Sequence, residues 1–133
     1  MRHILFFLFS LVMLLDMTSC SEKKEGDNTG IGLATSQIKF GKEGGVQEVE
    51  AKHASWWINS VSLNGENLIM DSTVTYIKDR YQCPIEVKSD LFSIKKKDNV
   101  LVVELSPIKE PESREFAIDL QNGDYYERLY VYQ

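Results

Sequence analysis

The feature that most constrains this chain is an alternation of apolar and polar residues with a period of two. In residues 114–120, Phe116, Ile118 and Leu120 alternate with polar or small residues, and residues 127–133 alternate in the same way. Successive side chains of a strand point to opposite faces of a sheet, so this pattern is typical of strands with one buried and one solvated face. Because no window of the sequence shows a helical repeat, we predict an all-β protein.

Short turn signals divide the rest of the chain into candidate strands. Gly44-Gly45, Asn64-Gly65 and Asn122-Gly123 are sequences that favour tight turns. The strongest candidate strands are residues 37–40, 46–51, 56–63, 100–105, 114–120 and 127–133, and weaker ones are residues 72–77, 85–87 and 92–95. About seven or eight short strands within about 100 residues predict an antiparallel β-sandwich.

The N-terminal segment resembles the export signal of a bacterial lipoprotein. Arg2 precedes an apolar run over residues 4–15, which is shorter than the roughly 20 residues that a membrane-spanning helix needs. The following Met-Thr-Ser-Cys resembles a lipobox, in which the cysteine is lipidated and becomes the first mature residue. We therefore predict a signal peptide in residues 1–19 and a lipid anchor at Cys20. The alternative is an ordinary cleaved signal next to a coincidental cysteine.

The residues after Cys20 are polar and small, and they predict a linker between the anchor and a single domain. We assign residues 20–33 to the lipidated cysteine and a flexible linker, and residues 34–133 to the folded domain. Cys20 is not followed directly by an aspartate, which fits an outer-membrane lipoprotein. The charged residues just beyond it resemble the surface-export tags of Bacteroidetes lipoproteins, so we expect a protein of the cell envelope that faces outward.

Charge and composition exclude several classes of function. The 15 lysines and arginines against 20 acidic residues give a net charge of -5, and a negative surface repels phosphate backbones, so we expect no nucleic-acid partner. Beyond Cys20 the chain has one histidine, His53, and one cysteine, Cys83, so we expect no metal site of the clustered kind and no cofactor. We interpret His53 as a polar loop residue and Cys83 as a buried thiol or as half of an intermolecular disulfide.

Several short motifs resemble the BACON domain, the Bacteroidetes-associated carbohydrate-binding domain that is often N-terminal. The motifs are Ile38-Lys39-Phe40, Glu43-Gly44-Gly45 with residues 46–51, Trp56-Trp57-Ile58, residues 114–118 and a last strand that ends on residues 131–133. This resemblance implies an immunoglobulin-like sandwich with a binding or spacer role and no catalysis. Within it, Gly44-Gly45 would form a hairpin turn that needs positive φ.

The adjacent pair Trp56 and Trp57 is the first candidate site. Neighbouring residues of a strand point to opposite faces, so if one indole fills the core the other faces outward or lies under a loop. An outward indole is a flat platform on which a sugar ring can stack. The alternative is that both indoles are packed, one in the core and one under the segment of residues 62–89.

The last predicted strand carries the second candidate site. Its polar-face residues follow a period of two, opposite Leu129 and Val131. We call them the aromatic stripe: Tyr126, Arg128, Tyr130 and Tyr132. Tyrosine and arginine dominate contact hot spots, and aromatic rings also suit sugars. The alternative is cross-strand packing of tyrosines on a solvated face.

These observations predict a binding module and not an enzyme. No residue pattern marks a nucleophile, a metal site or a pair of catalytic carboxylates. Two functions stay open. One is a lipid-anchored envelope module that binds a glycan, and the other is an interaction or scaffold subunit of an envelope protein complex. The sequence does not predict the oligomeric state.

Overall fold

The protein is all-β throughout the part that the computed structural model describes, residues 30–133. The strands there are β1 (Gln37–Lys39), β2 (Gly45–Glu50), β3 (Trp57–Leu63), β4 (Glu66–Asn67), β5 (Thr75–Lys78), β6 (Pro84–Lys88), β7 (Phe92–Lys97), β8 (Val100–Leu105), β9 (Glu115–Asn122) and β10 (Tyr125–Tyr132). They form two five-stranded sheets, in the orders β1-β10-β9-β3-β4 and β2-β8-β7-β6-β5. The predicted β-sandwich is confirmed. We call these the first and the second sheet.

Two details of the sheets differ from the prediction. All neighbouring strands are antiparallel except β1, which joins the edge of the first sheet parallel to β10. Residues 30–133 contain ten strands instead of the predicted seven or eight. The ten include the two-residue β4, which pairs with the end of β3 across the Asn64-Gly65 turn. A strand of two residues has no periodicity, so the sequence does not reveal it.

The turn at Gly44 and Gly45 joins two sheets and does not close a hairpin. Both glycines have the positive φ that the sequence implied, at 72° and 131°, but β1 lies in the first sheet and β2 in the second. The hairpin expectation is therefore wrong. A Cβ on Gly44 would lie 2.2 Å from the backbone oxygen of Leu105, so this crossover requires glycine for space as well as for conformation.

The core lies between the two sheets and is built from the alternation that the sequence shows. Phe116, Ile118 and Leu120 of β9 are fully buried, and the ring of Phe116 meets Phe92 of the second sheet edge to face, with centroids 5.1 Å apart. Complete burial of such a side chain contributes about 1.5 to 3 kcal/mol.

The folded unit begins earlier than predicted. Ile31 is only 2% exposed and belongs to the core, and Leu33 forms a β-bridge with Ala51. Both residues fall within the predicted linker, because two apolar residues among glycines show no strand periodicity in the sequence. The predicted signal peptide, Cys20 and the linker up to residue 29 lie outside the described residues. Within residues 30–133, no helix is long and apolar enough to cross a membrane.

Candidate functional site

The aromatic stripe lies on the outer face of the first sheet. In β10, Leu129 and Val131 are fully buried, so the residues that alternate with them point away from the core. Tyr126 is 64% exposed, and Tyr130 and Tyr132 are half-buried by their neighbours. The predicted geometry of the stripe is therefore confirmed.

The two tryptophans divide between the core and this face. Trp56 is 2% exposed, and its Nε1–H donates a hydrogen bond of 2.6 Å to the backbone oxygen of His53. Trp57 opens β3 opposite Gln121 of β9, and Gln121 pairs in turn with Tyr126. Trp57 thus shares the outer face with the stripe. Trp56 is excluded as a stacking platform, because its ring is enclosed.

An ion pair occupies the centre of the face. Arg128 donates from Nε to Oδ1 of Asp119 at 2.6 Å and from Nη2 to Oδ2 at 3.0 Å. The hydroxyl of Ser60 donates to the same carboxylate at 3.2 Å. The hydrogen bonds with Asp119, and after them the one with Tyr130, raise the pKa of Arg128 above its usual range. Arginine is charged at every physiological pH, and Asp119 fixes the orientation of this guanidinium.

Beside the ion pair, the face has a shallow depression of about 480 Å³. Its floor is Ala117 of β9, which lies between Tyr130 of β10 and Ser62 of β3. Tyr130 forms one wall. The remaining lining is Gly65 and six polar residues: Ser60, Ser62, Asn67, Glu115, Asp119 and Arg128. The depression therefore offers hydrogen-bond donors and acceptors beside an aromatic ring.

Two stacked rings of β10 lie next to this depression. Tyr130 and Tyr132 are stacked with centroids 6.3 Å apart and planes at 17°. The guanidinium of Arg128 lies 5.8 Å from the centroid of Tyr130. Aromatic faces attract apolar C–H surfaces, whereas the neighbouring amide, hydroxyl and carboxylate groups bind hydroxyls. The arrangement suits a ligand with one apolar face and many hydroxyl groups.

The outer face of the second sheet is different in character. Across its strands, Glu48, Val102, Lys95 and Glu86 follow one another in register. Oppositely charged and β-branched residues in such rows are ordinary partners on a solvated sheet face. Aromatic residues with a polar surround are thus concentrated on the first sheet alone, among the strands that the structure describes.

The other singled-out residues lie away from this face. Cys83 is free and half-buried in the loop between β5 and β6, so the expectation of a buried thiol is wrong. This loop is held by Asp79, whose carboxylate accepts hydrogen bonds from two backbone N–H groups, and such loops keep their side chains near the surface. His53 lies in the loop before β3, as expected. In residues 30–133, no cluster of three histidine, cysteine or acidic residues could hold a metal ion.

Sequence reasoning missed the polar half of the depression. The outward positions of Glu115, Ala117 and Asp119 follow from the alternation in β9, so a search of that face would have found them. The contribution of Ser60 and Ser62 depends on a β-bulge in β3 between Ile58 and Ser60. That irregularity has no sequence signal of its own.

Comparisons with known proteins bear on the fold. Neither a family model nor a curated protein matches the chain. A solved structure described as the NMR structure of a protein from Bacteroides thetaiotaomicron is similar, with 21% identity and a TM-score of 0.57, over 79% of this chain and 82% of that chain. A likeness at this identity supports the two-sheet fold and says nothing of a ligand.

Proposed function

We propose that the protein is a non-catalytic, lipid-anchored module of the cell envelope, exposed on the outer membrane, that binds a glycan on the outer face of its first sheet. The observation that carries the proposal is the depression over Ala117, flanked by the stacked rings of Tyr130 and Tyr132 and by the Asp119–Arg128 pair. The resemblance to BACON domains points the same way.

The ion pair suits binding of an uncharged polymer. Both oxygens of Asp119 already accept hydrogen bonds from Arg128, so the carboxylate is not available as a free negative charge. Arg128 keeps Nη1, whose nearest acceptor is the hydroxyl of Tyr130 at 3.5 Å, a long contact that a ligand hydroxyl can replace. The face therefore presents an oriented donor beside an aromatic ring, which favours sugar hydroxyls over charged groups.

The spacing of the acids favours binding over hydrolysis. The two carboxylates in the depression, Glu115 and Asp119, are four residues apart on β9. At about 3.3 Å per residue their Cα atoms are about 13 Å apart. Glycosidases hold their paired carboxyl groups about 5 Å apart when retaining and about 6.5 to 9.5 Å apart when inverting. The one carboxylate near the centre is moreover held by Arg128.

The direct test is a polysaccharide screen with variants of the face. The chain from Ser21 onward contains every described residue, and its binding to a panel of neutral polysaccharides is measured by calorimetry and by affinity electrophoresis. We expect Tyr130→Ala and Asp119→Asn each to weaken binding about tenfold or more, because one removes the stacking ring and the other frees Arg128 to turn away.

A matched control lies on the second sheet. Val102→Ala changes an outward residue there without touching the depression, and we expect it to leave the affinity unchanged. The proposal fails if no polysaccharide binds, or if the two variants of the first sheet bind as well as the parent chain.

A protein partner in an envelope complex is the second candidate for the same face. It is favoured by Tyr126 and Arg128, which project from the sheet and are of the residue types that dominate protein contacts. Crosslinking from Tyr126 in intact cells separates the two functions. A specific adduct with another envelope protein, together with no binding of polysaccharides, would show that this face binds a protein and not a glycan.

A further inference from the structure

Gly30, the first described residue, lies at one end of the sandwich together with the β2–β3, β5–β6, β7–β8 and β9–β10 loops. We call this end the N-terminal end. Gly30 accepts a hydrogen bond from Asn122 at the β9–β10 turn, and Lys52 donates from its backbone to Gly32. The β7–β8 turn is joined to Ala51 by the backbone of Asn99. The antiparallel register of β5, β6 and β7 brings the β5–β6 loop to this end as well.

The exposed aromatic residues are segregated at the N-terminal end. Among the described residues, the aromatic side chains with the highest exposure are Tyr81 at 70%, Tyr126 at 64% and Tyr125 at 50%. Tyr81 lies in the β5–β6 loop, and the other two open β10. Trp57 is half-buried on the same end. The opposite end exposes aliphatic residues instead, Val46 near the start of β2 and Leu91 in the β6–β7 turn.

Cationic residues accompany these rings. Lys52, Lys78, Arg80 and Lys97 are all exposed at the N-terminal end, together with the acidic Glu50, Asp98 and Asp124. The guanidinium of Arg80 lies 4.7 Å from the centroid of the Tyr81 ring. Tyrosine and tryptophan prefer the boundary between headgroups and acyl chains, where the ring is partly apolar and its polar tip stays hydrated. Lysine and arginine beside them reach the phosphates of the headgroups.

We propose that the N-terminal end of the sandwich rests directly on the lipid surface, with Tyr81 and Tyr125 in the interface. This inference rests on the anchor at Cys20 that belongs to the proposed function. Nine residues lie between Cys20 and Gly30, and the ten steps from one Cα to the next reach at most about 36 Å. Such a short tether gives an effective concentration near the millimolar range, so a contact that is weak by itself holds the domain against the membrane.

The tryptophans provide the measurement, because Trp56 and Trp57 both lie at the N-terminal end. The full chain is produced with its own leader, its lipidation at Cys20 is verified by mass spectrometry, and it is reconstituted in phosphatidylethanolamine–phosphatidylglycerol vesicles. A nitroxide-labelled headgroup lipid quenches tryptophan only at short range. We expect a loss of tryptophan emission in labelled vesicles relative to unlabelled ones, and we expect the double variant Tyr81→Ser/Tyr125→Ser to abolish most of that loss.

The control is the double variant Val46→Ser/Leu91→Ser at the opposite end, which we expect to be quenched like the parent chain. The inference is overturned if the parent chain shows no quenching, whether or not it carries lipid, or if quenching persists undiminished in the tyrosine double variant. Tyr81 and Tyr125 do not line the depression, so their replacement leaves polysaccharide binding unchanged. A failed polysaccharide screen with intact quenching would remove the glycan function and leave the membrane contact standing.

Discussion

The division of the two tryptophans gives the sharpest test of the structure, because Trp56→Phe and Trp57→Phe are chemically identical changes at adjacent positions. Trp56 is 2% exposed and donates a hydrogen bond of 2.6 Å to the carbonyl of His53. Trp57 lies half-buried on the outer face of the first sheet. The structure therefore predicts opposite outcomes for the two variants in stability and in fluorescence.

The expected loss of stability follows from the surroundings of each ring. In Trp56→Phe, the void left by the smaller ring costs about 1 kcal/mol, and the carbonyl of His53 loses its partner at a cost of about 1 kcal/mol. The sum of about 2 kcal/mol lowers the urea midpoint by about 1 to 2 M for a domain of this size. Trp57→Phe changes a surface residue and shifts the free energy of unfolding by less than about 0.5 kcal/mol.

The assay is urea unfolding of the chain from Ser21 onward, followed by circular dichroism, together with acrylamide quenching of the folded variants. Each variant retains one indole. The chain that keeps Trp57 should be readily quenched by acrylamide, and the chain that keeps Trp56 should be shielded. Equal losses of stability, or easier quenching of Trp56 than of Trp57, would falsify the assignment of Trp56 to the core and with it the register of β3.

Two further predictions concern stability. Gly44→Ala should destabilise the protein by about 3 kcal/mol, because the left-handed conformation costs about 1 to 2 kcal/mol and the new Cβ meets the Leu105 backbone. The control is Gly123→Ala, where φ is 59° and the space is open, so that only the conformational cost of about 1 to 2 kcal/mol applies. Equal losses of stability in urea unfolding would contradict the packing of the crossover. The Tyr76 hydroxyl is buried without a hydrogen-bond partner, so Tyr76→Phe should be neutral or stabilising by up to about 1 kcal/mol. Burial raises the pKa of the Tyr76 hydroxyl in the folded protein above its usual value of 10.0. Above pH 10 this tyrosine therefore ionises first in the unfolded chain, and the free energy of unfolding of the parent protein should fall as the pH rises. Calorimetry should show a smaller fall for Tyr76→Phe, which has no hydroxyl to ionise.

The fold was largely predictable because burial imposes a strict period on each strand. The fully buried Phe116, Ile118 and Leu120 follow the alternation read from the sequence. What the pattern does not contain is the partner of each strand. Nothing local distinguishes a glycine turn that closes a hairpin from one that crosses between sheets, and Gly44 is of the second kind. Likewise, the burial of Ile31 depends on residues far away in sequence, in the β2–β3 loop.

The candidate site divides along the same line. The aromatic stripe was predictable, because four residues of one strand share a face by local geometry alone. The depression was not, because it needs β9 and β3 beside β10, and the position of Ser60 depends on the bulge in β3. One strand therefore indicated the face. The β3 residues that complete the depression come from a pairing over more than 50 residues, and the bond from Ser60 to Asp119 spans 59.

The two proposals constrain each other through the direction of the strands. β10 begins at the N-terminal end with Tyr125 and runs away from it, so Tyr130 lies about 17 Å further along the strand at about 3.3 Å per residue. With the N-terminal end on the lipid surface, the depression opens sideways above the headgroups and not towards them. A polysaccharide that lies along the cell surface then meets the stacked rings of Tyr130 and Tyr132 without the domain having to leave the membrane. Contact of the N-terminal end with the membrane thus restricts the orientation of the domain and leaves the depression accessible. Because the orientation is already restricted, less rotational freedom is lost when a glycan binds.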